Sequence, residues 1–294
     1  MEYRTRKGET VTGNDGQDRL LSFLYGYVPG RAVVKLLVHP VISKIGGAFL
    51  NSPFSRGMIK PFIKQNHIDM EQYERETYRS YNDFFTRKIK ESARPFDYEP
   101  GHLTAPCDGK LTVYPITKSG RFCIKHTLYS IGSLLRSEKL AKRYEGGKAL
   151  VFRLTVDDYH RYCYVDQGIK SGNKTIPGVL HTVNPVANDV YPIYKENSRQ
   201  YSLLKSEHFK TILMMEVGAL MVGKITNYQG MSIVLRGQEK GKFEFGGSTV
   251  ILLLEENAAD MDADILINSR RQIETIVKAG EKIGELPETT GCDT

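Results

Sequence analysis

The chain has 294 residues, 40% hydrophobic and 26% charged, with a formal net charge of +7. That is a globular composition, long enough for one large domain with a helical extension or for two domains, and it contains no low-complexity segment or internal repeat. Basic residues are interspersed with acidic ones along most of the chain, so most read as solvated surface, and an anionic membrane is favoured over nucleic acid only because the N-terminal third combines its positive charge with many apolar and aromatic residues.

Residues 1 to 16 read as a flexible polar start containing Gly8, Gly13 and Gly16. No apolar secretory segment follows this basic stretch directly, so synthesis and residence on the cytoplasmic side are expected. From Arg19, the spacing of Leu20, Leu21, Phe23, Leu24 and Val28 gives an apolar helical face that ends near Pro29-Gly30. A second such stretch covers roughly Ala32 to Ile45, and a third helical run is expected near Met70 to Lys90. None reaches the ~20 apolar residues of a membrane-spanning helix; Ala32 to Leu50 is broken by Lys35, His39 and Lys44. These stripes suit either packing on the main core or membrane contact, and Lys35, Lys44, Arg56, Lys60 and Lys64 would add attraction to anionic lipid.

After Pro95 the pattern changes to short runs separated by turns: Lys110 to Ile116, Ala149 to Leu154, Tyr162 to Val165 and Gly178 to Val183. Ile212 to Val222, Ile233 to Leu235, Gly241 to Phe245 and Thr249 to Glu255 continue it, and Val277 to Gly284 suggests a final strand-turn-strand. The expected class is α+β. N-terminal amphipathic helices, with a membrane-associating role, occupy residues 1–95, and a β-rich, largely antiparallel domain occupies 96–294.

Cys107, Cys123, Cys163 and Cys292 form neither a C-x-x-C pair nor a disulfide-framework spacing, which suits reduced thiols, and no metal site is visible. The stretch Phe243-Glu244-Phe245-Gly246-Gly247-Ser248-Thr249-Val250-Ile251-Leu252 is the most informative. It places a serine hydroxyl beside a glycine carbonyl between two strand-like runs. Attack of Ser248 Oγ on the Gly247 carbonyl gives an ester by N-to-O acyl shift. Loss of the Ser248 α-proton then expels the upstream chain, leaving a dehydroalanine that hydrolyses to ammonia and an N-terminal pyruvoyl group. Alone, Gly-Gly-Ser-Thr is also an ordinary strand, bulge or turn sequence.

Its company narrows the reading: Ala105-Pro106-Cys107-Asp108-Gly109-Lys110-Leu111, Ile124-Lys125-His126-Thr127-Leu128-Tyr129-Ser130, Asp158-Tyr159-His160-Arg161 and Val183-Asn184-Pro185. With the Gly-Gly-Ser-Thr site these resemble the phosphatidylserine decarboxylase family in identity and order, from about Leu20 to near the C-terminus. Tyr81-Asn82-Asp83-Phe84-Phe85-Thr86-Arg87-Lys88 and Ala93-Arg94-Pro95-Phe96 also match the family pattern.

The resemblance implies a pyruvoyl-dependent carboxy-lyase that cleaves itself between Gly247 and Ser248 into a large chain, 1–247, and a small chain, 248–294. The pyruvoyl group made from Ser248 would form a Schiff base with phosphatidylserine and release carbon dioxide and phosphatidylethanolamine, with no pyridoxal phosphate and no metal. Peripheral attachment at the cytoplasmic face of the membrane and a homodimer are further implications.

The resemblance also assigns Asp108 to a Ser-His-Asp relay for self-cleavage and marks His160 as an active-site residue. The chain departs from the family's Asp-Tyr-His-Arg-x-His pattern, because Cys163 occupies the second histidine position, the one usually credited as the base. A thiol near its ordinary pKa of ~8.5 is mostly neutral at pH 7 and makes a poor substitute. Two repairs are open. In the preferred one, His181 joins the relay and His160 serves decarboxylation, with Cys163 and His181 on neighbouring antiparallel strands; in the other, His160 serves both steps. Rival readings are a pyruvoyl enzyme acting on a soluble amino acid derivative, and an uncleaved β-rich binding module in which Ser248 is structural.

Overall fold

The computed structural model describes residues 2–12, 23–27, 30, 33–34, 40–124, 127–183, 192–219, 224–244 and 248–288. Expectations resting on Lys125, His126, Asn184, Pro185, Phe245, Gly246, Gly247 and Cys292 lie outside these residues, as does about half of the first two expected helices.

The described chain mixes helix and sheet, is rich in strand and is mostly antiparallel. At its centre, Ser248–Leu254 lies between Thr211–Val217 on one side and Lys148–Leu154 on the other, both antiparallel to it. Lys148–Leu154 pairs in turn with Gly109–Pro115, and that strand with Glu274–Val277. On the far side Thr211–Val217 pairs with Arg199–Ser206, which pairs with Gly168–Lys170, and Ser232–Val234 closes that edge. Two three-stranded sheets flank this core: Ile225–Asn227 with Glu239–Phe243 and Arg161–Cys163, and Asp260–Met261 with Lys282–Glu285 and His102–Thr104.

Ser248–Leu254 is buried at every position because both of its faces are covered. Val250, Leu252 and Leu254 join a core with Leu111, Phe152, Leu154, Met214, Tyr162 and Phe243. Ile251 and Leu253, of opposite parity, join a second core with Val151, Leu213, Met215, Val217, Ile193 and Tyr194. This double covering explains why the sequence there is an unbroken apolar run instead of an alternating one.

Several expectations are corrected. Within the supposedly flexible start, Glu2–Arg4 runs parallel to Glu274–Val277 and pairs with Thr10–Thr12, and Arg6 donates at 2.6 Å to each of Asp262, Asp264 and the Lys282 carbonyl. An Arg with three acidic or carbonyl partners explains why the segment is held. The run near Met70 to Lys90 holds only a 3-10 turn, Met70–Gln72, and a short helix, Tyr81–Phe85, each started by a side-chain cap from Asp69 or Ser80. Gly178 to Val183 is not a strand beside Cys163. Pro177 lacks an N–H, and the Asn197 side chain bonds both the N–H and the carbonyl of His181, taking the place of a ladder. The final strand-turn-strand divides between two sheets. Its turn residue Gly280 has φ +82 and packs so closely on Phe96 that a Cβ there would lie 2.6 Å from the ring.

In the N-terminal third, helix Pro40–Asn51 and the segment after it bury Leu50 with Tyr78, Tyr81, Phe84 and Phe85. Other apolar side chains there face outward: Ile45, Phe49, Met58 and above all Phe54, 89% exposed. No helix among the described residues is long and apolar enough to cross a membrane.

Candidate active site

Three sequence motifs converge on one end of the central sheet. Ser248 opens its strand opposite Leu154, where Lys148–Leu154 ends and the turn leading to His160 begins. On the other side Val217 faces Thr249, so Gly218, at the exit of that strand, reaches the same end. Asp108 immediately precedes Gly109–Pro115, whose Lys110 faces Arg153. Asp108 thus stands two strands from Ser248, about 10 Å by ordinary strand spacing.

The two faces of the sheet separate the histidines. Opposite residues of an antiparallel pair share a face, so Ser248 sits on the side of Leu154 and Val250, and Thr249 on the side of Val217. His160 has the parity of Tyr162, whose ring lies in the core on the Ser248 side, and the His160 carbonyl accepts from Phe243 N at 2.9 Å. His181 lies beyond the opposite face, with its ring edge on Tyr25 and Nε2 3.7 Å from Glu196. Asn197 links it to the sheet end, donating to the carbonyls of His181 at 2.7 Å and Gly218 at 2.8 Å.

His160 is fully buried, and its Nδ1 lies 2.8 Å from the Asp158 carbonyl oxygen. A carbonyl can only accept, so Nδ1 carries the proton and Nε2 presents a lone pair. Nε2 has no hydrogen-bond partner among the described residues, and neither has the buried Ser248 Oγ. Burial pushes the imidazole down to about 4, against the opposing effect of Asp158, so it is neutral at pH 7. The Phe85 ring covers it with centroids 4.0 Å apart. Around this contact Arg161 donates twice to the Thr86 carbonyl, at 2.9 and 2.7 Å, and Arg87 donates to the Asp157 carbonyl at 3.3 Å. The Tyr81-to-Lys88 segment therefore forms one wall of the histidine's site.

Asp108 is buried, but its partners among the described residues are not histidines. Arg94 grips it through Nε and Nη2 at 2.9 and 2.7 Å, Ala279 N donates at 2.9 Å, and Lys278 Nζ lies at 3.3 Å. Cys163 donates both its N–H, at 2.8 Å, and its thiol, at 3.2 Å, to the Pro106 carbonyl, and burial pushes the thiol up to about 12. It is therefore protonated at any ordinary pH and cannot take a proton from Ser248.

One group beside the site had not been singled out from the sequence. Glu216 faces Val250, on the Ser248 side, and accepts from Lys240 Nζ at 2.6 Å, both side chains being fully buried. Asn227 bridges the pair, 2.7 Å from Lys240 and 3.0 Å from Glu216. A single acid in an apolar strand-like run was the available signal, since a buried carboxylate requires a partner. Arg94 and Phe85 stood within quoted segments without assigned roles. Among the described residues no group of three or more His, Cys, Asp or Glu could hold a metal ion.

Comparison with known proteins gives the family. The family model for phosphatidylserine decarboxylase matches residues 81–285. The chain is 48% identical over 266 residues to phosphatidylserine decarboxylase proenzyme 2 of Clostridium acetobutylicum, covering 90% of this chain and 91% of that one. It is 40% identical to the proenzyme of Ruminiclostridium cellulolyticum, over 90% of this chain and 91% of the relative. Against the Fusobacterium nucleatum proenzyme it is 38% identical, covering 97% of both chains. A match over most of the length, carried through the serine, histidine and aspartate motifs that the fold gathers at one sheet end, leads to one conclusion: this chain belongs to the phosphatidylserine decarboxylase family.

Proposed function

We propose that the chain decarboxylates phosphatidylserine to phosphatidylethanolamine after cutting itself between Gly247 and Ser248, into chains 1–247 and 248–294. The observation that carries this reading is that two buried atoms of the quoted motifs, Ser248 Oγ and His160 Nε2, have no hydrogen-bond partner among the described residues and lie on one face at one end of the sheet. A donor and an acceptor left unbonded in a core cost free energy, which is tolerable where they act on each other during a reaction.

In the self-cleavage step, His160 Nε2 accepts the Ser248 hydroxyl proton as Oγ attacks the Gly247 carbonyl, and the protonated ring returns it to the departing nitrogen. The ester then breaks by loss of the Ser248 α-proton, and water converts the resulting dehydroalanine to a pyruvoyl group and ammonia. That group, held covalently at position 248, would supply an electrophilic ketone able to accept the substrate amine and the electrons released with carbon dioxide. The position of Ser248, buried in a mostly apolar core, suits it, because a desolvated substrate carboxylate readily leaves as neutral carbon dioxide. In this reading His160, reprotonated from solvent, would deliver a proton to the carbon that loses the carboxylate.

His160 therefore serves both steps in this reading. His181, the preferred relay member from sequence, keeps a specific observation in its favour: Asn197 ties it to Gly218 beside the Ser248 end. Asp108 acts through Arg94 and Lys278, fixing the strand ends around the site. The outward Phe49, Phe54 and Met58, with exposed Arg56, Lys60 and Lys64 nearby, support peripheral contact with an anionic bilayer.

Intact-mass measurement tests the proposal. The chain should split at 247/248 with a pyruvoyl-blocked small chain, and Ser248→Ala should remain whole. His160→Ala should slow cleavage about 100-fold or more, whereas His181→Ala should retain it. A folded wild-type chain that stays whole in the presence of lipid defeats the proposal, and slow cleavage in His181→Ala alone transfers the base role to His181.

A further inference from the structure

We infer that Lys110 and Asp158 are positioning residues that hold the His160 imidazole in the tautomer with Nδ1 protonated and Nε2 bare. This rests on the reading of His160 as the self-cleavage base. Thr155 to Asp158 form a tight turn, closed by Asp158 N donating to the Thr155 carbonyl at 3.0 Å. A single carboxylate oxygen, Asp158 Oδ2, accepts from Thr155 N at 2.7 Å, Thr155 Oγ1 at 2.9 Å and Lys110 Nζ at 2.6 Å. Lys110 also donates to Thr155 Oγ1 at 2.6 Å, so ammonium, hydroxyl and carboxylate form a closed triangle.

Lys110 Nζ and the Asp158 carboxylate are both nearly inaccessible, at 8% and 6% side-chain exposure. Lys110 projects from the Gly109–Pro115 strand, paired opposite Arg153, so the cation is fixed by the sheet itself. The triangle in turn fixes the main chain of Asp158, whose carbonyl holds His160 Nδ1. A tautomer is a one-proton choice, and a rigid acceptor at Nδ1 decides it. Removing the ammonium leaves a buried carboxylate without its counter-ion, which opens the turn or protonates the acid and frees the ring. Asp158 and Asp157 from its own turn and Arg87 from the segment packed over it act on the charge of the ring, and Lys110 reaches this turn through its hydrogen bond to the Asp158 carboxylate.

Nitrogen-15 spectra of the histidine rings, taken on the uncleaved Ser248→Ala chain, read the tautomer directly. The parent should show His160 protonated at Nδ1, assigned by loss of the signal in His160→Gln. Lys110→Met should move the ring to a mixture of tautomers and, with Ser248 restored, slow self-cleavage about 100-fold. Lys110→Arg, which keeps the charge, should restore the tautomer and most of the rate. If Lys110→Met does not fold, Thr155→Val, which removes one hydroxyl and no charge, should show the same change in smaller measure. An unchanged Nδ1–H tautomer with unchanged cleavage in the folded variants overturns the inference. Failure of the underlying reading looks different: His160→Ala would cleave at the parental rate while Lys110→Met still altered the tautomer.

Discussion

Acid should weaken the fold through His160, because burial disfavours its protonated form. Burial lowers this ring from its ordinary 6.5 to about 4, so the folded chain resists a proton that the unfolded chain accepts readily. Between those values the unfolded state binds more protons, and stability falls as pH falls through that window, with no further loss below it. For one group with these two pKa values the loss is about 2 kcal/mol between pH 8 and pH 5, approaching 3 near pH 4. The measurement is urea unfolding of the uncleaved Ser248→Ala chain at pH 8 and pH 5, beside the same chain with His160→Gln. The glutamine chain carries its own constant offset, but its stability should drop by about 2 kcal/mol less over that range. Two curves that fall in parallel would refute the reasoning, since a ring that titrates normally cannot be the buried neutral base described above.

Three other outcomes are expected. Cys163, with its thiol pushed up to about 12, should react with iodoacetamide at pH 8 about 1,000-fold more slowly in the folded chain than in the unfolded one, as mapped by peptide mass, and Cys107, buried and also raised, should be comparably inert. Lys240→Met strands the buried Glu216 carboxylate and should cost about 3–5 kcal/mol in denaturant unfolding, whereas adding Glu216→Gln should recover much of that loss. Phe54→Ser should leave stability unchanged, because the ring is almost wholly exposed, yet reduce co-sedimentation with phosphatidylserine vesicles about five- to thirty-fold if the proposed membrane contact inserts this ring.

The β-rich region was legible because its strands carry their own signals. The apolar run Val250 to Leu254 and the runs ending at Pro115 and Leu154 were located to within a residue or two, since both their composition and their flanking turns agree. Residues whose structure depends on distant partners were not legible. Nothing local in Glu2–Arg4 announces that Glu274–Val277 will pair with it, or that Arg6 will find two aspartates more than 250 positions away. The same holds within the site. Asp108, His160 and Ser248 could be named from motifs, but the alternation that puts His160 and Ser248 on one face and His181 beyond the other exists only once the sheet is assembled. The pairing of Asp108 with Arg94 joins two quoted motifs whose contact no spacing rule foretells.

The strand Ser248–Leu254 sits between two strands that both belong to residues before Gly247, with seven register pairs on one side and five on the other. The proposed cut at its N-terminal end would therefore convert the middle of the sheet into a second molecule. Before the cut, unfolding and refolding are unimolecular. Afterwards, recovery requires two chains to meet, so its rate depends on concentration, and the larger chain alone must leave two ladders of backbone groups unpaired. On that reading folding precedes maturation, and the cut protein would keep a shape that its separated parts have no direct route to regain. Its working lifetime is then set by how rarely that central strand comes out.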